Sequence, residues 1–196
     1  MRTMRAARFT SATGKLTLQD VPVPRPRPGQ ALVKVAACGI CHSDLSLIGG
    51  VFTTTLPAIT PGHEAAGVIE ELGAPTAGWQ RGDRVVLHAG RACGDCPACI
   101  SGAAADDCER IEIMAFDFDG AWAEYVLVPV TSLVRVPDGI PLEQAAVLAD
   151  AVSTPYAAVV DTAAVRPAES VGSSTSVLRR PSCVPGTLSL AASATG

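Results

Sequence analysis

The stretch that best indicates the fold runs from Gln30 to Leu45 and reads QALVKVAACGICHSDL. Its first nine residues alternate in polarity and are rich in Val, which predicts a β-strand over Gln30–Cys38. The sequence then continues through two residues into Cys41 and His42. A predicted strand is thus joined directly to residue types that bind metals and carry chemistry.

Further short strands are predicted on both sides of this stretch. Before it, the segments MRAARF and LTLQDV are extended, and the proline-rich connector VPVPRPRPG cannot be helical. After it, further strands are predicted at His63–Gly73, at Arg81–His88 and twice within Gly120–Pro137. Many short strands broken by Gly and Pro favour a compact, barrel-type β domain. The predicted fold class is therefore mainly β with short helices (α+β).

Helical signals begin only after this β region. Pro141–Leu148 has a proline in a first helical turn followed by Glu and an Ala/Leu run, and a second helical stretch covers about 152–164. Residues 167–196 are rich in Ser and Thr and keep no periodicity, which predicts a divergent, disordered tail. The expected organisation is a β domain over 1–150, a helical segment over 151–166 and this tail.

Composition and charge exclude several classes of partner. The 196 residues include 15 Lys and Arg against 19 Asp and Glu, so the formal net charge is −4 and no basic cluster suits nucleic acid or an anionic membrane. No apolar run approaches the roughly 20 residues of a membrane span. The basic N-terminus is not followed by the apolar region of a secretory signal, so a cytoplasmic protein is expected.

Four of the seven cysteines are close together in the sequence, in a lobe covering about 90–110. Their spacing, two residues between the first three and eight before the last, lets four thiolates converge on one tetrahedral ion. A zinc site closed by four thiolates is structural, because no position remains for water or substrate. An iron–sulfur cluster is one alternative, and unpaired or disulfide-bonded cysteines are another. The four candidate ligands are Cys93, Cys96, Cys99 and Cys108.

A second group of candidate ligands is spread over two motifs. Cys41 and His63, each expected at a strand end, can supply two ligands of an open metal site. Asp44 and Glu64 are suited to orient His63 and to tune the ion from behind the ligands. The alternative for each motif alone is an ordinary core or surface residue.

Four motifs together carry a resemblance to a known family. They are GICHSDL, PGHEAAGVIEELG, the four-cysteine lobe and AVLADAVSTPYAAVV, which occur in this order within about residues 3–166. In these motifs the chain resembles the zinc-dependent alcohol dehydrogenases of the medium-chain dehydrogenase/reductase superfamily. The resemblance implies a GroES-like catalytic domain with two zinc ions, one catalytic and one structural, followed by a Rossmann domain that binds NAD or NADP.

The resemblance also implies a role for each residue of the open site. Cys41 and His63 match the first two ligands of the catalytic zinc, and Asp150 stands where the third ligand is usually Cys. Replacing the cysteine thiolate by a carboxylate keeps the charge of the ligand and makes the zinc ion harder in the chemical sense. The alternative for Asp150 is an acid that favours a helix N-terminus.

Three hydroxyl and imidazole residues of the motif GICHSDLS complete the implied active site. Ser43 matches the hydroxyl that bonds the substrate oxygen and starts a proton relay, and His42 matches a contact to the cofactor phosphate. Ser46 occupies the position of a relay histidine in some relatives, which leaves the proton exit undefined.

The dinucleotide fingerprint G-x-G-x-x-G does not occur in the sequence. We therefore expect the Rossmann domain to be absent, through truncation or a frameshift close to Val171; the alternative is a natural single-domain relative. The implied function is oxidation of a small-molecule alcohol to an aldehyde or ketone. A homo-oligomer is one arrangement expected for the protein. The alternative is a non-catalytic zinc-binding module or vestigial fragment, and no turnover is expected from the isolated chain.

Overall fold

The chain divides into two compact units, Met1–Ala151 and Val152–Gly196. The computed structural model describes residues 2–103, 105–166, 169–173 and 190–193.

The first unit is built from short strands connected by turns and a few short helices. Its described strands are β1 (Thr3–Thr10), β2 (Lys15–Pro22), β3 (Gln30–Cys38), β4 (Ala58–Ile59), β5 (Ala65–Leu72), β6 (Arg84–Leu87), β7 (Gly90–Arg91), β8 (Glu112–Ile113), β9 (Tyr125–Pro129) and β10 (Leu133–Arg135). Its described α-helices are α1 (His42–Ile48), α2 (Pro97–Ile100) and α3 (Leu142–Ala145). Single 3-10 turns occur at Ala105–Asp107, Val130–Ser132 and Ala146–Ala149.

Antiparallel pairing organises these strands. A five-stranded sheet has the order β10-β6-β5-β3-β9, a three-stranded sheet has the order β2-β1-β4, and β7 pairs with β8. Strand β3 pairs with β5 on one side and β9 on the other, so it lies inside the larger sheet. The prediction of a mainly β fold with short helices is confirmed, and the strand predicted over Gln30–Cys38 has the bounds of β3.

The main apolar core is formed by side chains of the five-stranded sheet and the turns that cover it. Successive side chains of a strand point to opposite faces, and burial of one face stabilises the sheet by about 25 cal/mol for each Å² of apolar surface. The core begins two residues after the candidate ligand His63, because β5 starts at Ala65. Its buried members are Ala31, Val33, Ala65, Ile69, Val85, Leu87, Met114, Ala121, Val126, Val128 and Leu133.

Helix α1 differs from the sequence prediction, which put Cys41 at the end of a strand. The structure ends β3 at Cys38 and uses Cys41 as the N-cap of α1. The Asp44 carboxylate accepts a hydrogen bond from the Cys41 amide at 3.0 Å and so satisfies a donor at the helix start. Leu47 anchors the helix by packing with Phe9 and Ile59 in a small separate core. A seven-residue helix is too short to give a clear period in the sequence.

The helix predicted over Pro141–Leu148 is also more irregular than expected. Pro141 is the N-cap of α3, which ends at Ala145, and the chain then tightens into the 3-10 turn Ala146–Ala149. Ala145 and Ala146 pack against Ala66 and Val86 on the larger sheet. This packing fixes the segment that leads to Asp150.

The second unit has helical and strand segments among its described residues. Helix α4 (Ser153–Ala157) continues as a π-helical turn over Ala158–Thr162, within the predicted helical stretch. Strand β11 (Ser170–Ser173) pairs antiparallel with β12 (Leu190–Ser193), although no strand was predicted in the tail. The predicted disorder of 167–168, 174–189 and 194–196 lies outside the described residues. Throughout the described part of the chain, every helix is too short or too polar to cross a membrane.

Candidate metal centres

The first candidate centre brings together Cys41, His63 and Asp150. Their ligand atoms all lie within 4.8 Å of one another. Oδ2 of Asp150 is 3.3 Å from Sγ of Cys41 and 3.3 Å from Nε2 of His63. Zinc bond lengths of about 2.0 to 2.3 Å put tetrahedral ligand atoms about 3.3 to 3.8 Å apart. The spacing and the donor types therefore fit a zinc ion with three protein ligands.

Three separate elements supply these ligands. Cys41 begins α1, His63 comes just before β5, and Asp150 directly follows the 3-10 turn Ala146–Ala149. Leu47 anchors α1 in the small core, β5 follows His63 closely, and the segment before Asp150 packs on the larger sheet. The ligands are distant in sequence, and only the fold brings them together.

Asp44 connects the two ligand segments that come first in the sequence. Its side chain is completely buried. Oδ2 accepts from the Cys41 amide at 3.0 Å, and Oδ1 accepts from the Gly62 amide at 3.0 Å. Oδ1 also lies 3.6 Å from Nδ1 of His63, too long for a hydrogen bond but close enough for the carboxylate charge to act. Asp44 therefore faces His63, the ligand that it is predicted from the sequence to orient.

The acidic surroundings of His63 change its protonation. Burial alone would lower the pKa of the imidazole, but the Asp44 carboxylate, together with Cys41 and Asp150, raises that pKa to about 9. Nδ1 is buried, and no described group accepts a hydrogen bond from it. The negative potential that raises this pKa also favours the binding of a cation.

Glu64 has a different contact from the one expected. The sequence predicts that Glu64 orients His63, whereas its Oε1 atom accepts a hydrogen bond from the Ala151 amide at 3.0 Å. The side chain is 5% exposed and lies over Gly39. The carboxylate therefore contacts the chain next to Asp150.

Ser43 lies at the edge of the first centre. Its Oγ is 3.4 Å from Nε2 of His63, and the residue lines an open cleft. The other cleft residues are mostly apolar: Val51, Phe52, Thr53, Ile113, Phe116 and Asp117. The ring of Phe116 is 6.0 Å from the ring of His63 and makes an edge-on contact with Phe52. Sequence reasoning missed both aromatic residues because they lie in irregular segments outside every motif.

His42 and Ser46 lie one turn apart on α1. Nδ1 of His42 is 3.4 Å from Oγ of Ser46. His42 is exposed, whereas Ser46 is buried beneath it. The two residues therefore form a polar contact that leads from the helix interior to the surface.

The second candidate centre is the four-cysteine group. Sγ of Cys93 is 3.9 Å from Sγ of Cys99, and Sγ of Cys96 is 4.0 Å from Sγ of Cys108, close to the edges of a tetrahedral site with Zn–S bonds of about 2.3 Å. Hydrogen bonds from the backbone amides of Cys99 and Glu109 lower the pKa of the Cys96 thiol to about 6. None of the four cysteines forms a disulfide bond. The arrangement fits four thiolates around one ion.

Comparison with known sequences identifies relatives of the chain. Residues 27–138 match the family described as Alcohol dehydrogenase GroES-like domain. The NAD-dependent alcohol dehydrogenase of Sulfurisphaera tokodaii is 38% identical over 135 residues, which are 64% of this chain and 38% of the relative. An alcohol dehydrogenase of Geobacillus stearothermophilus is 37% identical over 164 residues, which are 82% of this chain and 48% of the relative. The chain thus spans less than half the length of these relatives.

Solved structures of an alcohol dehydrogenase and of a reductase are also similar to this chain. A thermostable alcohol dehydrogenase from Pyrobaculum aerophilum, with cobalt and zinc bound, matches with a TM-score of 0.76 and 33% identity over 86% of this chain and 51% of that chain. An acetophenone reductase from Geotrichum candidum, in complex with NAD, matches with a TM-score of 0.76 and 34% identity over 86% of this chain and 50% of that chain.

Proposed function

The chain belongs to the family of alcohol dehydrogenase GroES-like domains, and on this basis we propose that it forms the zinc- and alcohol-binding part of an alcohol dehydrogenase. The observation that carries the proposal is the convergence of Cys41, His63 and Asp150 next to an open cleft. Three ligands leave one tetrahedral position for a substrate oxygen, which is the arrangement of a catalytic zinc site. Zinc bound there supplies a Lewis acid that lowers the pKa of an alcohol hydroxyl.

The oxidation removes a hydride, which NAD or NADP accepts, and a proton, which needs an acceptor in the protein. The Ser43 hydroxyl is suited to take up this proton, because its Oγ atom lies 3.4 Å from Nε2 of His63 and the residue lines the cleft. It can accept a hydrogen bond from the alcohol and, as it takes up the alcohol proton, release its own hydroxyl proton to water in the open cleft. Asp44 keeps His63 and Cys41 in position through its contacts from behind the site.

The exposed His42 is assigned to the cofactor in this proposal. The exposed imidazole, backed by Ser46, is suited to donate a hydrogen bond to a phosphate of NAD or NADP.

The cleft favours alcohols with an apolar substituent. Val51, Phe52, Ile113 and Phe116 offer apolar surface beside Ser43, so a hydrocarbon group can leave water while the hydroxyl reaches the zinc ligands. The expected substrates are small alcohols of this kind, oxidised to aldehydes or ketones.

The four-cysteine group is assigned to a second, structural zinc ion. Its lobe contains little apolar core of its own, so metal binding contributes directly to its folding. The proposed cofactors are accordingly two zinc ions for each chain.

Cobalt replacement tests the proposal without depending on turnover. The chain, loaded with Co²⁺, should show a visible spectrum that shifts when benzyl alcohol is added and shifts less with ethanol at the same concentration. Ser43→Ala should bind Co²⁺ normally but respond more weakly to benzyl alcohol. Asp20→Ala, which removes an exposed acid on β2, is the matched control and should behave as wild type. A wild-type spectrum that no alcohol changes would contradict the proposal.

A further inference from the structure

Two distant segments of the chain form the walls of the cleft beside Ser43. One wall is the irregular loop 51–55, which contains Phe52, and the other is the turn 113–118, which contains Phe116. The two rings meet edge-on, with their centroids 6.0 Å apart. The width of the cleft therefore depends on the contacts that hold the loop against the turn.

The turn that contains Phe116 is held in place by its own hydrogen bonds. The Ile113 carbonyl accepts from the amides of Phe116 at 3.1 Å and Asp117 at 2.8 Å, and the Asp117 carboxylate accepts from the Ile113 amide at 2.7 Å. Ala115 has a φ of 73°, a left-handed conformation that a residue other than glycine seldom adopts unless its surroundings require it. It is also completely buried. The turn therefore gives Phe116 a defined position.

The loop that contains Phe52 has no helical or strand geometry of its own. Its start is attached to α1, because the Phe52 amide donates to the Ser46 carbonyl at 3.1 Å. Further along, the half-buried Thr54 donates a hydrogen bond from Oγ1 to the Phe116 carbonyl at 2.7 Å. The same oxygen accepts from the Leu56 amide at 3.1 Å, which leaves the hydroxyl proton for the Phe116 carbonyl. Thr54 thus connects the loop to the turn across 62 positions of sequence.

We infer that Thr54 is a positioning residue for alcohol selection: its hydroxyl holds the Phe52 wall against the Phe116 wall and thereby sets the preference for alcohols with a bulky apolar group. The inference rests on the proposed function, since it takes the cleft to bind the alcohol. Thr54 itself does not line the cleft, so it acts through the two walls and not by touching the substrate. A hydrogen bond of this type contributes a net factor of about 2- to 10-fold to an equilibrium.

Binding of two alcohols to the Co²⁺-loaded, full 196-residue chain tests the inference. The shift of the visible spectrum gives the affinities for benzyl alcohol and ethanol, and the melting temperature reports stability. Thr54→Val removes the hydroxyl and keeps the shape of the side chain, Thr54→Ala is a second variant without the hydroxyl, and Thr54→Ser keeps it. The matched control is Thr55→Val, because Thr55 is an exposed threonine of the same loop.

We expect Thr54→Val and Thr54→Ala to weaken benzyl alcohol binding by about 2- to 10-fold. Ethanol binding should change little, because ethanol is too small to contact both walls. Thr54→Ser and Thr55→Val should keep the wild-type ratio of the two affinities. A purely structural role would lower the melting temperature and leave this ratio unchanged. An unchanged ratio in Thr54→Val, or a loss in Thr54→Ser equal to that in Thr54→Val, would overturn the inference.

Phe52→Ala gives a second test of the same contact. Without the Phe52 ring, the wall that Thr54 holds no longer contacts the benzyl group, so Thr54→Val should cause little further loss in this background. Equal losses with and without the Phe52 ring would overturn the inference. If the wild-type spectrum responds to neither alcohol, the proposed function fails and the inference fails with it. A normal wild-type response together with an unaffected Thr54→Val variant overturns the inference alone, which separates the two outcomes.

Discussion

Asp44 offers the most direct link between stability and the candidate site. Its carboxylate is completely buried and accepts hydrogen bonds from the amides of Cys41 and Gly62, each at 3.0 Å. Asp44→Ala would leave the buried Gly62 amide and the partly buried Cys41 amide without this acceptor. Each unsatisfied donor costs about 1 to 3 kcal/mol, so the expected loss in the free energy of unfolding is about 2 to 6 kcal/mol. Asp44→Asn keeps one acceptor oxygen and should lose about half as much.

Urea unfolding of the zinc-loaded chain measures this loss. Asp20→Ala is again the control, and an exposed substitution of this kind should change stability by no more than about 0.5 kcal/mol. Asp44→Ala should also weaken zinc binding at the first centre by about 10- to 100-fold, because Asp44 faces Nδ1 of His63. The reasoning is refuted if Asp44→Ala unfolds at the same urea concentration as Asp20→Ala.

Three further predictions follow from the two centres. In the zinc-free chain, the raised pKa of His63 stabilises the fold fully below pH 6.5, and this contribution is lost as the pH rises to about 9. The free energy of unfolding should therefore fall across this pH range. His63→Ala should remove the part of the fall that His63 causes. Cys99→Ser should lower the melting temperature more than Cys41→Ser, because the four-cysteine ion folds its own lobe; equal losses would count against the assignment. Phe116→Ala should weaken the response of the Co²⁺ spectrum to benzyl alcohol more than to ethanol, and a uniform effect would argue against an apolar subsite.

The sequence predicted the parts of the fold that depend on local patterns. Strand β3 was predicted with its observed bounds because alternation and Val content act within nine residues. The four-cysteine group was found from spacing alone, since its members lie within one lobe. Helix α1 was missed because it is short and is stabilised by contacts of Asp44 and Leu47 with distant segments.

The candidate site could be predicted from the sequence only in part, because long-range contacts bring its residues together. Asp150 could be connected to Cys41 and His63 only through the family resemblance, because nothing in its local sequence indicates a ligand. The contact of Glu64 with the Ala151 amide joins residues 87 positions apart, which no local pattern encodes. Phe116 also became visible as a site residue only when the fold placed its ring beside His63.

Zinc content for each chain, measured in wild type and in Asp150→Ala, tests the central claim most directly. The claim is that Cys41, His63 and Asp150 form a zinc site separate from the four-cysteine group. Protein purified without chelators should contain two zinc ions in wild type and one in Asp150→Ala after dialysis against a competing chelator of moderate affinity. A wild-type chain with one zinc ion, or an Asp150→Ala chain that keeps two, would contradict the account.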